Sequence, residues 1–157
     1  MEKGAVYIKS IKDSNPSDFA SMVKEIYSDS PEAMLFNSNP SEKELEELFN
    51  AKVTESGAGR AIDLVAEAGG RLVGECEIVR ISHSSAVVGI IVRKEARGLG
   101  VSDLLLERAA EKARALGISE LIAEVMGGNS RAVSFFARSG FRKEGISGKI
   151  VRMSRKG

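Results

Sequence analysis

The residues best placed to do chemistry are Arg97-Gly98-Leu99-Gly100, which follow an apolar run ending at Val92 and open an amphipathic pattern starting at Val101. An apolar strand, a glycine-rich turn and a helix, in that order, bring backbone N–H groups to a helix N-terminus. The first four N–H groups of a helix lack intrahelical partners, and the helix dipole adds partial positive charge there. Such a turn holds phosphate or pyrophosphate. Glycine at 98 and 100 lets the backbone approach an anion closely. A P-loop would need Gly-Lys-Ser/Thr at the end of the turn, and none follows. The chemistry in view is that of a phosphorylated ligand held by amides.

Holding that turn in place requires a sheet, and the rest of the chain supplies one. Val6, Ile8 and Ile11 predict a first strand. Ser14-Asn15-Pro16 is a helix start, followed by Phe19, Met22, Val23 and Ile26 at helical spacing, and Ser30-Pro31 stops that helix. Ser41 with Glu44 makes a capping-box pattern ahead of Leu45, Leu48 and Phe49. Residues 61–68 alternate through Ile62, Leu64 and Ala66, Gly69-Gly70 supplies a hairpin turn, and residues 72–81 return. After the turn Ser82-His83-Ser84, residues 86–92 are apolar on both faces, which predicts a strand covered on both sides.

The helix after Gly100 carries Leu104, Leu105, Ala109, Ala113 and Leu116, and Gly117 ends it. Residues 121–125 predict another buried strand. Asn129 then caps a helix with Ala132, Phe135, Phe136 and Ser139 on one stripe, closed by Gly140-Phe141. Val151 and Met153 predict a short last strand, with a basic stretch over 152–156. The strand–turn–helix–strand order forces parallel pairing through a right-handed crossover. The upstream hairpins are antiparallel, so the sheet is mixed. No repeat, low-complexity tract or linker interrupts the pattern.

Bulk properties narrow the function. A chain of 157 residues predicts one domain over 1–157. Hydrophobic content of 43% with 29% charged residues is ordinary for a globular protein. A net charge of +1 gives no footprint for nucleic acid. No apolar run reaches the roughly 18 residues needed to span a bilayer, and the N-terminus lacks a leader's apolar stretch. The single Cys76 precludes an internal disulfide and fits a reducing cytoplasm. Cys76 with the single His83 does not make a zinc site, so no metal is expected.

Arg97-x-x-Gly100-x-Ser102 resembles the acyl-CoA-binding motif of the GNAT N-acetyltransferases, Arg or Gln, two residues, Gly, one residue, then Gly or Ala. Asn129-x-x-Ala132-x-x-Phe135-Phe136, followed by Gly140-Phe141, resembles the family's second motif. The two stand in the family's order and at about its separation, and the resemblance covers essentially the whole chain. It implies an α/β (mixed α+β) fold: a central, mostly antiparallel sheet of six to seven strands, two of them parallel and splayed, flanked by about four helices. It implies acetyl-CoA as acyl donor and a primary amine as acceptor, whether a peptide N-terminus, a lysine or a small amine. The partner is that small molecule or peptide, with the protein a monomer or homodimer.

By the same resemblance, backbone groups of Ile90, Ile91 and Val92 pair with the pantetheine arm in the wedge between the splayed strands. Amides of Arg97, Gly98, Leu99, Gly100, Val101 and Ser102 hold the pyrophosphate. Asn129 and Phe136 belong to the cofactor side. Arg138 either reaches the 3′-phosphate or is a free surface arginine. Ser102 departs from the family's Gly or Ala, and its small hydroxyl fits there.

Acetyl transfer needs a neutral amine, a stabilised oxyanion and a proton for the leaving thiolate. The family often places a glutamate on the strand before the glycine-rich turn; residues 85–88 here read Ser-Ala-Val-Val. Glu124, five residues before Asn129, resembles the base of ribosomal-protein N-terminal acetyltransferases, against the plainer reading of a glutamate facing solvent or an arginine. Glu75 and Glu77 share one strand face, as a water-relayed base or a solvated surface. Phe136 stands where the family has its acidic tyrosine, so water would protonate the thiolate, and Phe136 packs on Phe141. His83 reads as a solvated turn residue and Cys76 as core. Glu42, Glu44, Glu46 and Glu47 make the second helix acidic, a lure for cationic amines or simply a wet face. With Val87 and Phe136 apolar, a non-catalytic CoA-binding sensor is the alternative, and transfer of a longer acyl chain a third reading.

Overall fold

The computed structural model describes residues 5–31 and 38–156. Residues 1–4, the start of the segment read for a leader, lie outside them. Seven strands form one sheet: β1 (Val6–Ser10), β2 (Ala61–Ala68), β3 (Arg71–Arg80), β4 (Ser85–Val92), β5 (Glu120–Met126), β6 (Arg142–Ser147) and β7 (Ile150–Lys156). Their order is β1-β2-β3-β4-β5-β7-β6, and every neighbouring pair is antiparallel except β4 with β5. Helices α1 (Pro16–Asp29) and α2 (Glu42–Gly57) cover one face, α3 (Val101–Ala115) and α4 (Ser130–Arg138) the other. This is the mixed sheet with one parallel pair that the motifs imply.

The helix ends follow from their capping residues. Asn15 accepts a hydrogen bond from the Asp18 amide at 2.9 Å, with Pro16 as the first helical residue. Ser41 and Glu44 bond each other's backbone reciprocally at the start of α2. Asn129 accepts from the Ala132 amide at 3.2 Å, which fixes where α4 begins beside β5. Gly140, at φ +93°, ends α4, and the Phe141 amide turns back onto the Phe136 carbonyl at 3.0 Å.

Two apolar clusters sit on opposite faces of the sheet. Phe19, Met22, Ile26, Leu45 and Val65 form one under α1 and α2; Leu105, Leu106, Ala109, Phe136 and Met153 belong to the other under α3 and α4. This double cover explains why the first six residues of β2 are all buried, rather than alternating as the pattern through Ile62, Leu64 and Ala66 predicts. Buried Arg93 ties the end of β4 to β3 and α1 by donating to the Leu72 carbonyl at 2.6 Å and to Glu25 of α1.

Four local expectations need correction. Ile11 does not extend β1. It sits in a single 3-10 turn closed by the Ser14 amide, which drops its side chain into the α1–α2 cluster. Leu116 is 49% exposed because the helix ends before it, and Leu106 takes its place in the stripe. The strand β6 goes unread because all six of its residues are exposed, leaving no apolar period; the free edge of β7 makes it a strand. Finally, β4 is not covered on both sides. Ala86, Val88 and Val92 are buried, but Gly89 is exposed and Val87 and Ile91 are only half-buried. That uncovered face is where the sheet opens.

Candidate active site

The parallel strands β4 and β5 pair only between Ser85–Val87 and Glu120–Ile122. Beyond that point β4 stays with β3 as far as Val92, and β5 stays with β7 as far as Met126. The two strands part, leaving one backbone edge of β4 without a strand partner from Val88 onward. A cavity of 310 Å³ fills the gap, lined among others by Gly89, Ile91, Glu124, Met126, Asn129 and Phe136. A second, of 240 Å³, shares Ile90, Ile91, Asn129 and Ala132 with the first and runs on to the N-terminus of α3. Together they form one cleft passing between the strands.

At the α3 end the backbone supplies the polar groups. Gly100, at φ +79°, is the N-cap of α3, and no side chain caps the first turn. Gly98 lies at φ +82°. These left-handed conformations strain any residue with a Cβ, so conformation itself selects glycine at both positions. A Cβ on either would meet nothing within 4 Å, so their outer faces are open, as close approach by an anion requires. The Arg97 guanidinium donates to Ser30 Oγ at 3.1 Å and ties the turn to the end of α1. Val101, Ser102 and Arg138 also line this part of the cleft, whereas Leu99, 37% exposed, is outside it. Arg131, in the first turn of α4 and about two turns before Arg138, lines it too and escaped the sequence reading. Uncapped amides, two glycines and three arginines fit a polyphosphate.

At the other end the polar groups are side chains. Lys52 of α2 extends its ammonium to Glu75 at 3.0 Å, Glu77 at 3.0 Å and Asp63 at 3.6 Å. Asp63 is 1% exposed and Glu75 5%, so Glu75 is not the solvated surface residue that strand alternation allows. The face carrying them is roofed by α1 and α2. As an ionised group, Asp63 would have both oxygens buried without a hydrogen-bond donor, whereas Glu75 Oε2 meets the Lys52 ammonium. A proton on Asp63 directed at Glu75 removes that deficit. Burial and the adjacent Glu75 charge push the Asp63 carboxyl up to about 11, against the opposing pull of Lys52. Burial alone would lower the Lys52 ammonium, but the surrounding carboxyl groups, Glu75 foremost, outweigh it and raise it. Asp63 is therefore a neutral acid at pH 7, and Lys52 a cation between two carboxylates.

Neither Lys52 nor Asp63 was picked out from the sequence. The signal for Asp63 was present: an aspartate inside the apolar strand AIDLVAEA. For Lys52 there was none, because it is one lysine on a charged helix. Glu124 lies exposed on β5, lines the cavity, and stands opposite Arg152 in the β5–β7 register. Phe136 is buried edge-to-face against Phe141 at 5.0 Å and also lines the cavity. His83 is exposed in its turn and lines neither cavity. Glu42, Glu44, Glu46 and Glu47 are exposed and away from the cleft, so the acidic surface of α2 is solvated; only Leu48 and Lys52 of α2 line the cavity. Cys76 is fully buried core.

Among the described residues, no helix is long and apolar enough to cross a membrane. No curated protein matches this sequence significantly. The fold recurs in solved structures. An acetyltransferase from Streptococcus agalactiae superposes with a TM-score of 0.80 at 19% identity, over 98% of this chain and 99% of that one. A ribosomal-protein-alanine N-acetyltransferase from Brucella melitensis gives 0.75 at 22% identity, over 96% and 99%. A PaiA N-acetyltransferase from Thermoplasma acidophilum, solved in complex with coenzyme A, gives 0.74 at 22%, over 97% and 99%. At such identities the likeness establishes the fold. The sequence itself matches the model of the acetyltransferase (GNAT) family over residues 21–141, most of the chain. The chain therefore belongs to the GNAT acetyltransferases, enzymes that draw their acetyl group from acetyl-CoA.

Proposed function

We propose that this protein acetylates the nitrogen of a primary amine by direct attack on acetyl-CoA within a ternary complex. The observation that carries the reading is the parting of β4 from β5 beside the uncapped N-terminus of α3. The free edge of β4 at Ile90–Val92 receives the pantetheine arm as an added strand. Amides of residues 97–102 receive the pyrophosphate, and Arg138 with Arg131 serves the remaining phosphate. Asn129 caps the start of α4, and its backbone amide bonds the Met126 carbonyl at the end of β5, beside the wedge.

Acetyl-CoA brings an electrophilic acyl carbon and a thiolate leaving group. The acceptor arrives as an ammonium, and Glu124 removes its proton. The nitrogen lone pair then forms the C–N bond as the C–S bond breaks. Phe136 has no proton to give, so the thiolate, with a free-thiol pKa of about 8.5, takes through water the surplus proton that the acylated nitrogen sheds as it becomes an amide. Holding both substrates in one cleft supplies much of the rate.

The test is incubation of the full chain with acetyl-CoA and a panel of amines, following thiol release and the acetylated product by mass. Turnover of at least one amine class above buffer is expected. No turnover of any would overturn the proposal. In parallel, CoA at 100 times its dissociation constant should stabilise the fold by about 2.7 kcal/mol.

A further inference from the structure

One row of residues crosses the cleft floor on the face toward α1 and α2. Asp63 pairs with Glu77, and Glu77 with Gly89. Carrying the β4–β5 register two residues past Val87–Ile122 brings Gly89 level with Glu124. The row therefore reads Asp63, Glu77, Gly89, Glu124, with side chains on one face because residues opposite each other across strands share a face. Adjacent strands are about 4.8 Å apart, so Glu77 and Glu124 stand roughly 10 Å apart at the backbone, and the parting of β4 from β5 widens this.

Between them lies bare backbone. Gly89 is exposed, lines the cavity, and an added Cβ would meet nothing within 4 Å. Its φ is not positive, so no turn or strain demands glycine there. The charges on the floor do not balance. Lys52 offsets one of Glu75 and Glu77, Asp63 is neutral, and Glu124 adds a further negative charge. The walls above are apolar, from Phe19, Val23 and Leu48.

Resting on the acetyltransferase reading above, we infer that the acceptor's ammonium sits on the backbone of Gly89 between the Glu77 and Glu124 carboxylates, and that the enzyme selects aliphatic ammonium acceptors. Glu77 holds the cation, Glu124 takes the proton, and Gly89 leaves the room. The apolar walls take the alkyl stem. An aromatic amine, uncharged at neutral pH, forfeits both carboxylates.

The experiment compares wild type, Gly89→Ala and Glu77→Gln, as full chains, with acetyl-CoA and butylamine, lysine amide, an alanine-terminated peptide or aniline. Wild type should favour one or more of the first three over aniline by about tenfold or more in kcat/KM. Gly89→Ala should raise the amine KM by about tenfold, with melting temperature and acetyl-CoA KM unchanged. Glu77→Gln should narrow the gap between that amine and aniline. If wild type acetylates an amine but Gly89→Ala leaves its KM within about twofold, the seat is wrong and the activity stands. Equal losses for amine and acetyl-CoA would likewise overturn the seat, since they mark a general distortion. If wild type acetylates none of the four, the activity itself fails, and this inference with it.

Discussion

At the α3 end of the cleft, the groups proposed to hold the donor are backbone amides of residues 97–102, beside glycines at φ +82° and +79°. At the β3 end the polar groups are side chains drawn from α2, β2, β3 and β5. The donor end rests on conformation, and its partial charges do not titrate. The acceptor end rests on a charge balance, in which each carboxylate depends on its neighbours. The same binding strength can thus be robust at one end and conditional at the other.

Lys52→Met should strain that contrast most. It leaves buried carboxylates without their cation, and unfolding in urea should show a loss of about 3–5 kcal/mol. A cost below about 1 kcal/mol would mean the cluster does not depend on its lysine. Glu124→Gln should lower kcat by about a hundredfold with the acetyl-CoA dissociation constant unchanged, read by steady-state kinetics and calorimetry. A parallel loss in both would erase the division between the ends. Gly100→Ala forces a Cβ into a left-handed conformation, costing about 1–2 kcal/mol of stability. It should weaken CoA binding while sparing the amine KM.

Asp63→Asn tests the acceptor end through pH. Between the unfolded value of about 3.9 and the folded value of about 11, the folded protein holds one proton more than the unfolded chain. Wild-type stability is therefore lost as pH rises through that window. Asparagine keeps a donor toward Glu75 and removes the titration. The variant should match wild type near pH 4 and melt progressively higher than it toward pH 9. A lower melting temperature at pH 8 would mark Asp63 as an ionised partner of Lys52.

The same division decided what the sequence disclosed. The donor end lies within one segment, Val92 to Ser102, where residue spacing is also spatial order, so its glycines and helix start were legible. Asn129 and Phe136 were legible for the same reason. The acceptor cluster joins residues 52, 63, 75 and 77, brought together by strand register and by the angle at which α2 crosses the sheet. Period-two alternation put Glu75 and Glu77 on one face but could not say that two helices roof it. Most elements were readable from caps and periods, among them Ser41 with Glu44, Gly69-Gly70 and Gly140-Phe141. The strand β6 was not, because pairing with β7 rather than burial creates it.

Cys76 is the chain's only cysteine; it is fully buried, and burial, with the carboxylates around it, raises its thiol. A disulfide dye added to the intact protein should therefore stay colourless, so colour during turnover counts liberated coenzyme alone. Slow colour without any amine would time the breathing of β3, making the silent sulfur a built-in clock for local opening.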